Sequence, residues 1–526
     1  MSNGRFSKLP YWACVVGVVV LVELHLVVRA LPFPFTPDSA AYIDDAVRLL
    51  ADSGLREPPS HGVAAPIPLF PPGFALSIAA LGLLGFDLRV AAMLIATASA
   101  LALPVLLVLA FRRLLDPAAL VVLATAVVTT PSFLTQSLLG LSDLFALALG
   151  LGSIGLVFQS QRYLSFAIAG ALAGFAYAVR NAHAALLIAF LGYFAFALYR
   201  NSEPRRTECV RALVFFLGVG AIVLPLLIRN VATFGAINPY AMEPSTVDVV
   251  TNARTMLQES VFDLSGLRLL GIYLAWSQPG LALSAILVGL LGWRCSILLA
   301  RLDVRRQKAL VLCVLYASIG SVMVIVARSR FEWGEPINVR HTLQYSPFWF
   351  AAGLLLLRAF VPPLTFVGFS VRSVRSVGWG LVCVVLALHL AYLANFDGPA
   401  RSNAMRSAAA SASWEVGKAI VCNTRRRVVS NWPHVFRIGC GVPVAPLGEV
   451  AHLQEMIASM LRERPNEELM IAIFPGRAGF GSEGFPVPAL QRADLENANV
   501  IFVLNESRGV IMLLDPRPQG NATRPY

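Results

Sequence analysis

Residues 33–54 read FPFTPDSAAYIDDAVRLLADSG and follow directly on the first long apolar run of the chain, residues 11–31. An apolar run long enough to cross a bilayer, then a Pro-led acidic segment, sets Asp38, Asp44 and Asp45 against a membrane surface with Tyr42 among them. Thr36 suits an N-cap and Pro37 the first helical position, so a helix is predicted to start here. On that helix Asp38, Tyr42 and Asp45 share one face, while Ala41, Val47 and Leu50 turn towards the other. Two readings fit the pattern. The acids either face water on an interfacial helix, or Asp38 and Tyr42 are presented to a ligand.

Composition decides the class. Of 526 residues, 57% are hydrophobic and only 14% charged, with a mean hydropathy of +0.69. A soluble chain carries about 25% charge, so this one is read as a multi-pass membrane protein embedded in a lipid bilayer. The formal charge is +12, yet the basic residues punctuate the apolar runs and almost all are Arg, with Lys only at Lys8, Lys308 and Lys418. Without a separate basic domain this argues against nucleic acid as a partner. Of seven cysteines, Cys14, Cys313 and Cys383 fall in apolar runs, and no CxxC or His/Cys spacing suggests structural zinc. The N-terminus lacks a small-residue cleavage site and reads as a retained first helix.

About eleven spans are expected, over 11–31, 89–111, 117–136, 143–160, 163–180, 183–199, 211–231, 270–293, 309–327, 342–360 and 377–395. A cytoplasmic N-terminus puts Arg112/Arg113, Arg162, Arg200/Arg205/Arg206, the 294–308 cluster and Arg372/Arg375 in internal loops, a consistent positive-inside pattern. Residues 1–396 are then the transmembrane domain, with a first external loop over 32–88 and another over 232–269. The apolar stretch 69–86 starts with a Pro pair, and counting it as a span would invert every later loop. It is therefore expected to lie in the outer interface. Residues 397–526 fall outside the membrane and alternate helix-like (410–421, 449–463, 488–498) with strand-like (427–439, 468–474, 499–504) stretches, the pattern of a small α/β domain. Export would permit a Cys422–Cys440 disulfide.

A second external acid, Asp143, opens the fourth span. It is either an N-cap or the companion of Asp38, one serving as base and the other as orienter. The two could also ligate a divalent cation through oxygen; no other cofactor is implied. Arginines stand at the same expected face. Arg180 closes one helix, Arg229-Asn230 another, and Arg340-His341 opens a third. Each alone reads as snorkelling to headgroups, whereas three together with two acids point to an anionic ligand. GFGSEG, residues 479–484, matches GxGxxG but is followed by FPVPAL, with no helix to receive a pyrophosphate. His183 and His389 read as core residues.

Four motifs, in order, resemble the GT-C glycosyltransferases that use polyprenyl-phosphate-linked sugars, the protein O-mannosyltransferase and lipid A aminoarabinose transferase group in particular. They are TPDSAAYIDDA (36–46), LFPPGFALSIAAL (69–81), LPLLIRNVATFGAINP (224–239) and INVRHTLQYSPFWFAAG (337–353). The resemblance covers about residues 10–400. It implies Asp38 as the catalytic carboxylate with Asp143 as the second acid, and a substrate site that draws on Tyr42, Arg180, Arg229, Asn230, Arg340 and His341. The donor would be a polyprenyl-phosphate sugar, the acceptor an unknown envelope lipid, glycan or protein, and the outcome inversion, with Arg340 and Arg229 facing the leaving phosphate. The chain departs from the family at Ser39, where a second acid is frequent, and at Phe70, where some members carry a Lys. The expected location is the cytoplasmic membrane with catalysis on the extracytoplasmic face. A transporter or flippase, or a scaffold with an exported binding domain, is the alternative. Against a transporter, no internal repeat is visible and most ionisable residues map to helix ends.

Overall fold

The computed structural model describes residues 37–50, 70–137, 139–200, 204–239, 244–265, 301–331, 337–359, 371–394 and five strand segments between 427 and 515. The spans expected at 11–31 and 270–293, the C-terminal helices and the Cys422–Cys440 pair lie outside the described residues. Packing divides the chain into two compact units. One comprises Met1–Ala30, Pro71–Phe74 and Met93–Gly398, the other Leu31–Phe70, Ala75–Ala92 and Pro399–Tyr526.

The larger unit is a helical bundle of α3 (Leu88–Phe111, its first turn in the other unit), α4 (Pro117–Val128), α5 (Pro131–Ser137), α6 (Asp143–Gln159), α7 (Tyr163–Val179), α8 (Ala184–Tyr199), α9 (Arg205–Phe234), α10 (Val249–Ser265), α11 (Val304–Arg330), α12 (Val339–Thr342), α13 (Ser346–Ala359) and α14 (Val371–Ala394). Among the described residues four helical segments are long and apolar enough to cross a membrane, Leu88–Phe111, Asn181–Tyr199, Arg205–Phe234 and Val304–Arg330; α4 and α5 together make a fifth, bent by 60°. The bend corrects the straight span expected over 117–136. Thr129 and Thr130 turn their hydroxyls back onto carbonyls of the preceding turn, and Pro131, which cannot donate, starts the new direction. The span expected over 342–360 is likewise preceded by a separate one-turn helix, α12. Leu213, Leu217, Leu224 and Ile228 leave α9 more than half exposed; on a helix of this length such a stripe is what acyl chains cover.

Lipid is as apolar as a leucine core, so close packing has to hold these helices together. Between α7 and α9 it rests on glycine. A Cβ on Gly170 would run into the Phe215 carbonyl, and one on Gly218 into the Ala167 carbonyl. Because Gly170 meets Phe215 while Gly174 meets Val219, the two helices run parallel, with α8 returning between them. Next to this seam Phe190 and Phe215 stack with ring centroids 4.4 Å apart. The contacts His183–Tyr316 and Tyr193–Lys308 make α8 and α11 antiparallel.

These directions sort the charges. Near one end of the bundle Arg113 donates to the Gln159 carbonyl (2.7 Å), Arg306 to the Leu114 carbonyl (2.9 Å), and Lys308 pairs with Glu208 (2.8 Å). The opposite end gathers the starts of α6, α8 and α12 with the ends of α7, α9 and α11. There helix α10 is tied down, Asn252 donating to the Ser329 hydroxyl (2.9 Å) while Arg328 donates to Ser245 (2.9 Å).

In the second unit α1 (Pro37–Leu50) starts at the proline that the sequence marks. Its buried face is Ser39, Tyr42, Ile43 and Ala46, while Val47 and Leu50 are exposed. Asp44 and Asp45 are both half-buried, and Asp45 lies 3.7 Å from Arg48. Beside a bilayer an apolar side chain gains little by turning inward, so Val47 and Leu50 can stay exposed while Tyr42 and Ile43 pack. The Tyr42 and Phe70 rings lie 4.8 Å apart. Helix α2 (Gly73–Leu83) has 11 residues, too few to span. In the turn that follows it, Gly85 has a φ of 91°, which favours a residue without Cβ. Strands β1 (Arg427–Ser430), β2 (Val444–Pro446), β3 (Leu469–Ile473), β4 (Asn499–Leu504) and β5 (Val510–Asp515) form one sheet in the order β2-β1-β3-β5-β4. Its β2-β1-β3 half is parallel, and β3-β5 and β5-β4 are antiparallel.

Candidate active site

Asp143 opens α6 and is fully buried. It does not act as an N-cap; Ser142 holds that position, without a side-chain cap bond. Its Oδ2 receives Arg180 Nη1 at 2.8 Å and lies 3.5 Å from Arg340 Nε. Its Oδ1 has no hydrogen-bond partner among the described residues. Both arginines come from places where a helix is interrupted. Arg180 is the extended C-cap of α7, followed by a 3-10 turn over Asn181–His183 before α8 starts. Arg340 sits in α12, whose N-cap Asn338 accepts the Arg340 amide (3.0 Å) and donates its own N–H to His341 Nδ1 (3.1 Å).

That last bond fixes the chemistry of His341. Since Nδ1 accepts, the ring proton sits on Nε2, leaving a neutral imidazole with one donor. Burial, reinforced by the neighbouring Arg180 and Arg340 charges, pushes its pKa down to about 3. The four side chains Asp143, Arg180, Arg340 and neutral His341 together carry one more positive charge than negative. Arg180 keeps 21% of its side chain exposed and Arg340 17%, against none of Asp143. The arrangement can hold an anion at its rim while the buried carboxylate aligns two guanidinium groups.

A divalent cation fits this donor set poorly. One oxygen of Asp143 already lies between two guanidiniums, and their charge opposes a second cation. Among the described residues no three His, Cys, Asp or Glu side chains gather as a metal set.

The other predicted site residues stand as follows. Arg229 and Asn230 lie in the last turns of α9, where Arg229 covers the Phe234 ring at 5.2 Å and donates to Asn230 Oδ1 (3.2 Å). Asn230 in turn donates to the Ile237 carbonyl (3.1 Å), closing the helix end. Asp38 is half-buried in the first turn of α1, and Tyr42 is buried one turn on. His183 is a core residue as expected, its Nδ1 3.0 Å from the Tyr316 hydroxyl; His389 is buried edge-on to Phe350.

Sequence reasoning missed Asp263. It ends α10 fully buried and accepts from four donors, the Ser132 amide (2.9 Å), the Ser132 hydroxyl (2.8 Å), the Thr342 hydroxyl (3.0 Å) and the Ser346 hydroxyl. Burial pushes its carboxyl above the usual range while these hydrogen bonds pull the other way. A signal existed: Asn252, Met256 and Asp263 recur at helical spacing, and all three are buried.

No known protein-family profile matches the chain, and no curated protein does. Solved structures do. The chain superposes on ArnT from Cupriavidus metallidurans, the lipid A aminoarabinose transferase, in the apo state with a TM-score of 0.57 at 12% identity, over 96% of this chain and 98% of that one. Against ArnT bound to undecaprenyl phosphate the TM-score is 0.59 at 13% identity, over 95% and 97%. At this identity the likeness is one of fold, and it runs the full length of both proteins. The GT-C resemblance read from four short motifs is carried at the level of the fold.

Proposed function

We propose that the chain is an integral-membrane glycosyltransferase of the GT-C type, moving a sugar from a polyprenyl-phosphate donor to an envelope acceptor. The observation that carries this reading is the convergence of Arg180 and Arg340 on the buried Asp143, in a fold like that of ArnT, which has been crystallised with undecaprenyl phosphate. Phosphate matches the pair because planar guanidiniums address two oxygens at once.

In this reading the acceptor hydroxyl attacks the anomeric carbon, a bond forms there, and the bond to the phosphate oxygen breaks. A single displacement inverts the configuration. The electron pair leaves on the lipid phosphate, where Arg180, Arg340 and the His341 Nε2–H stabilise the growing charge. Asp38 takes the acceptor proton. Asp143 aligns the arginines, and Tyr42, Arg229 and Asn230 are further binding candidates. The site faces outside the cytoplasmic membrane, the N-terminus is cytoplasmic, and residues 397–526 form an exported α/β domain.

Purified chain in nanodiscs should bind undecaprenyl phosphate. Arg180→Gln and Arg340→Gln should each weaken that binding by about ten- to a hundredfold, the worth of a charge-assisted contact. Asp38→Asn should express normally yet give no product; wild-type transfer by that variant overturns the assignment of the base. Lipid A, glycans and envelope polymers of a deletion strain, compared with its parent, would name sugar and acceptor.

A further inference from the structure

Asp263 joins two helix interruptions. Its carboxylate takes the amide and hydroxyl of Ser132, next to the bend between α4 and α5, and the hydroxyls of Thr342 and Ser346 on either side of the break between α12 and α13. Thr342 directly follows His341 and lies two residues from Arg340. The Thr342 hydroxyl also lies 2.8 Å from the Val339 carbonyl, and that of Ser346 3.1 Å from the Thr342 carbonyl, so each shares its single proton between the carboxylate and the turn it closes. All four residues are buried, and the pair between Asp143 and Arg340 is long, 3.5 Å. Asn338 caps this turn at its start, and the Asp263 carboxylate holds it through Thr342 and Ser346 at its end.

We propose that Asp263 is a positioning residue for the anion site, setting through Thr342 and Ser346 where the Arg340 guanidinium and the His341 Nε2–H stand. This rests on the reading of Asp143, Arg180, Arg340 and His341 as the place of the donor phosphate. It also gives helix α10 a role, since it supplies no group to the phosphate but carries the anchor for two that do.

The test measures binding of undecaprenyl phosphate to full-length protein in nanodiscs, together with thermal stability, for Asp263→Asn, Thr342→Val, Thr342→Ser, the double variant and Arg340→Gln. Asp263→Asn and Thr342→Val should each weaken binding roughly tenfold at temperatures where the protein is folded, since misplacement by about an ångström is felt at that level. Thr342→Ser keeps the hydroxyl and should bind as wild type. The double variant should be no weaker than either single one, because both cut the same linkage. If Asp263→Asn does not fold, Thr342→Val against Thr342→Ser decides. A folded Thr342→Val that binds as wild type overturns the positioning role, even if its stability falls. Wild-type protein that fails to bind, or Arg340→Gln that binds as well as wild type, overturns the phosphate site and this inference with it.

Discussion

At the scale of single residues the site separates two acids that look alike in the sequence. Asp143 is enclosed by two arginines, so Asp143→Asn leaves both guanidiniums facing each other with no anion between them. The expected cost is about 3 kcal/mol of stability, typical of a broken buried pair, seen as a lower melting temperature along with weaker binding of undecaprenyl phosphate. Asp38→Asn should act on turnover and leave stability alone. His341 adds a pH signature. Its folded pKa of about 3 lies below the ordinary 6.5, so the unfolded chain binds a proton that the folded one refuses. The contribution to stability is full above about 6.5 and declines as pH falls from there towards about 3. Melting curves across that window should therefore shift down with acid, and the shift should be smaller in His341→Gln.

At the scale of elements, the α7–α9 seam is the most exacting contact in the bundle. Gly170→Val would drive its Cβ into the Phe215 carbonyl, an overpacking of about 3 kcal/mol or more. The seam carries Arg180 on the end of α7, so the same variant should also weaken donor binding; thermal unfolding and binding measured together check both. Much of this level was legible. Helix ends with Arg-Asn or Arg-His, alternating with basic loops, put Asp143, Arg180 and Arg340 on one face from spacing alone, and that end of the bundle holds all three. What spacing could not supply was which face of α1 packs. The rule that apolar residues turn inward loses force beside lipid, so Tyr42 is buried and Val47 exposed. Nor could it give the Asp263 cluster, in which Ser132 lies far along the chain from Thr342 and Ser346 and all three, as hydroxyls in apolar stretches, resemble neutral filler. The break at Pro131 was visible, but membrane helices tolerate proline, and the sequence does not say when one bends by 60°.

At the scale of the whole molecule, the sorting of charge between the two ends of the bundle bears on topology. With a cysteine at Gln161, beside the end that holds Arg113 and Arg306, a membrane-impermeant thiol reagent should not label intact cells; a cysteine at Asn238, beyond α9, should be labelled. Both positions are exposed. Because Cys209 and Cys383 are exposed as well, the comparison belongs in a chain freed of its own cysteines. Labelling in the opposite pattern would turn the site towards the cytoplasm and require a donor on that side.

The parallel seam also bears on how the protein is made. Gly170 and Gly218 lie some fifty residues apart, roughly 2–10 s of synthesis at about 5–20 residues per second. Over that interval α7 leads its partner in the seam out of the ribosome, and α8 emerges between them. The glycine groove of α7 must wait, open to lipid or to the insertion machinery, until α9 arrives. Larger side chains in that groove are then errors of biogenesis as well as of packing, and they should lower the yield of inserted protein before any property of the finished protein can be measured.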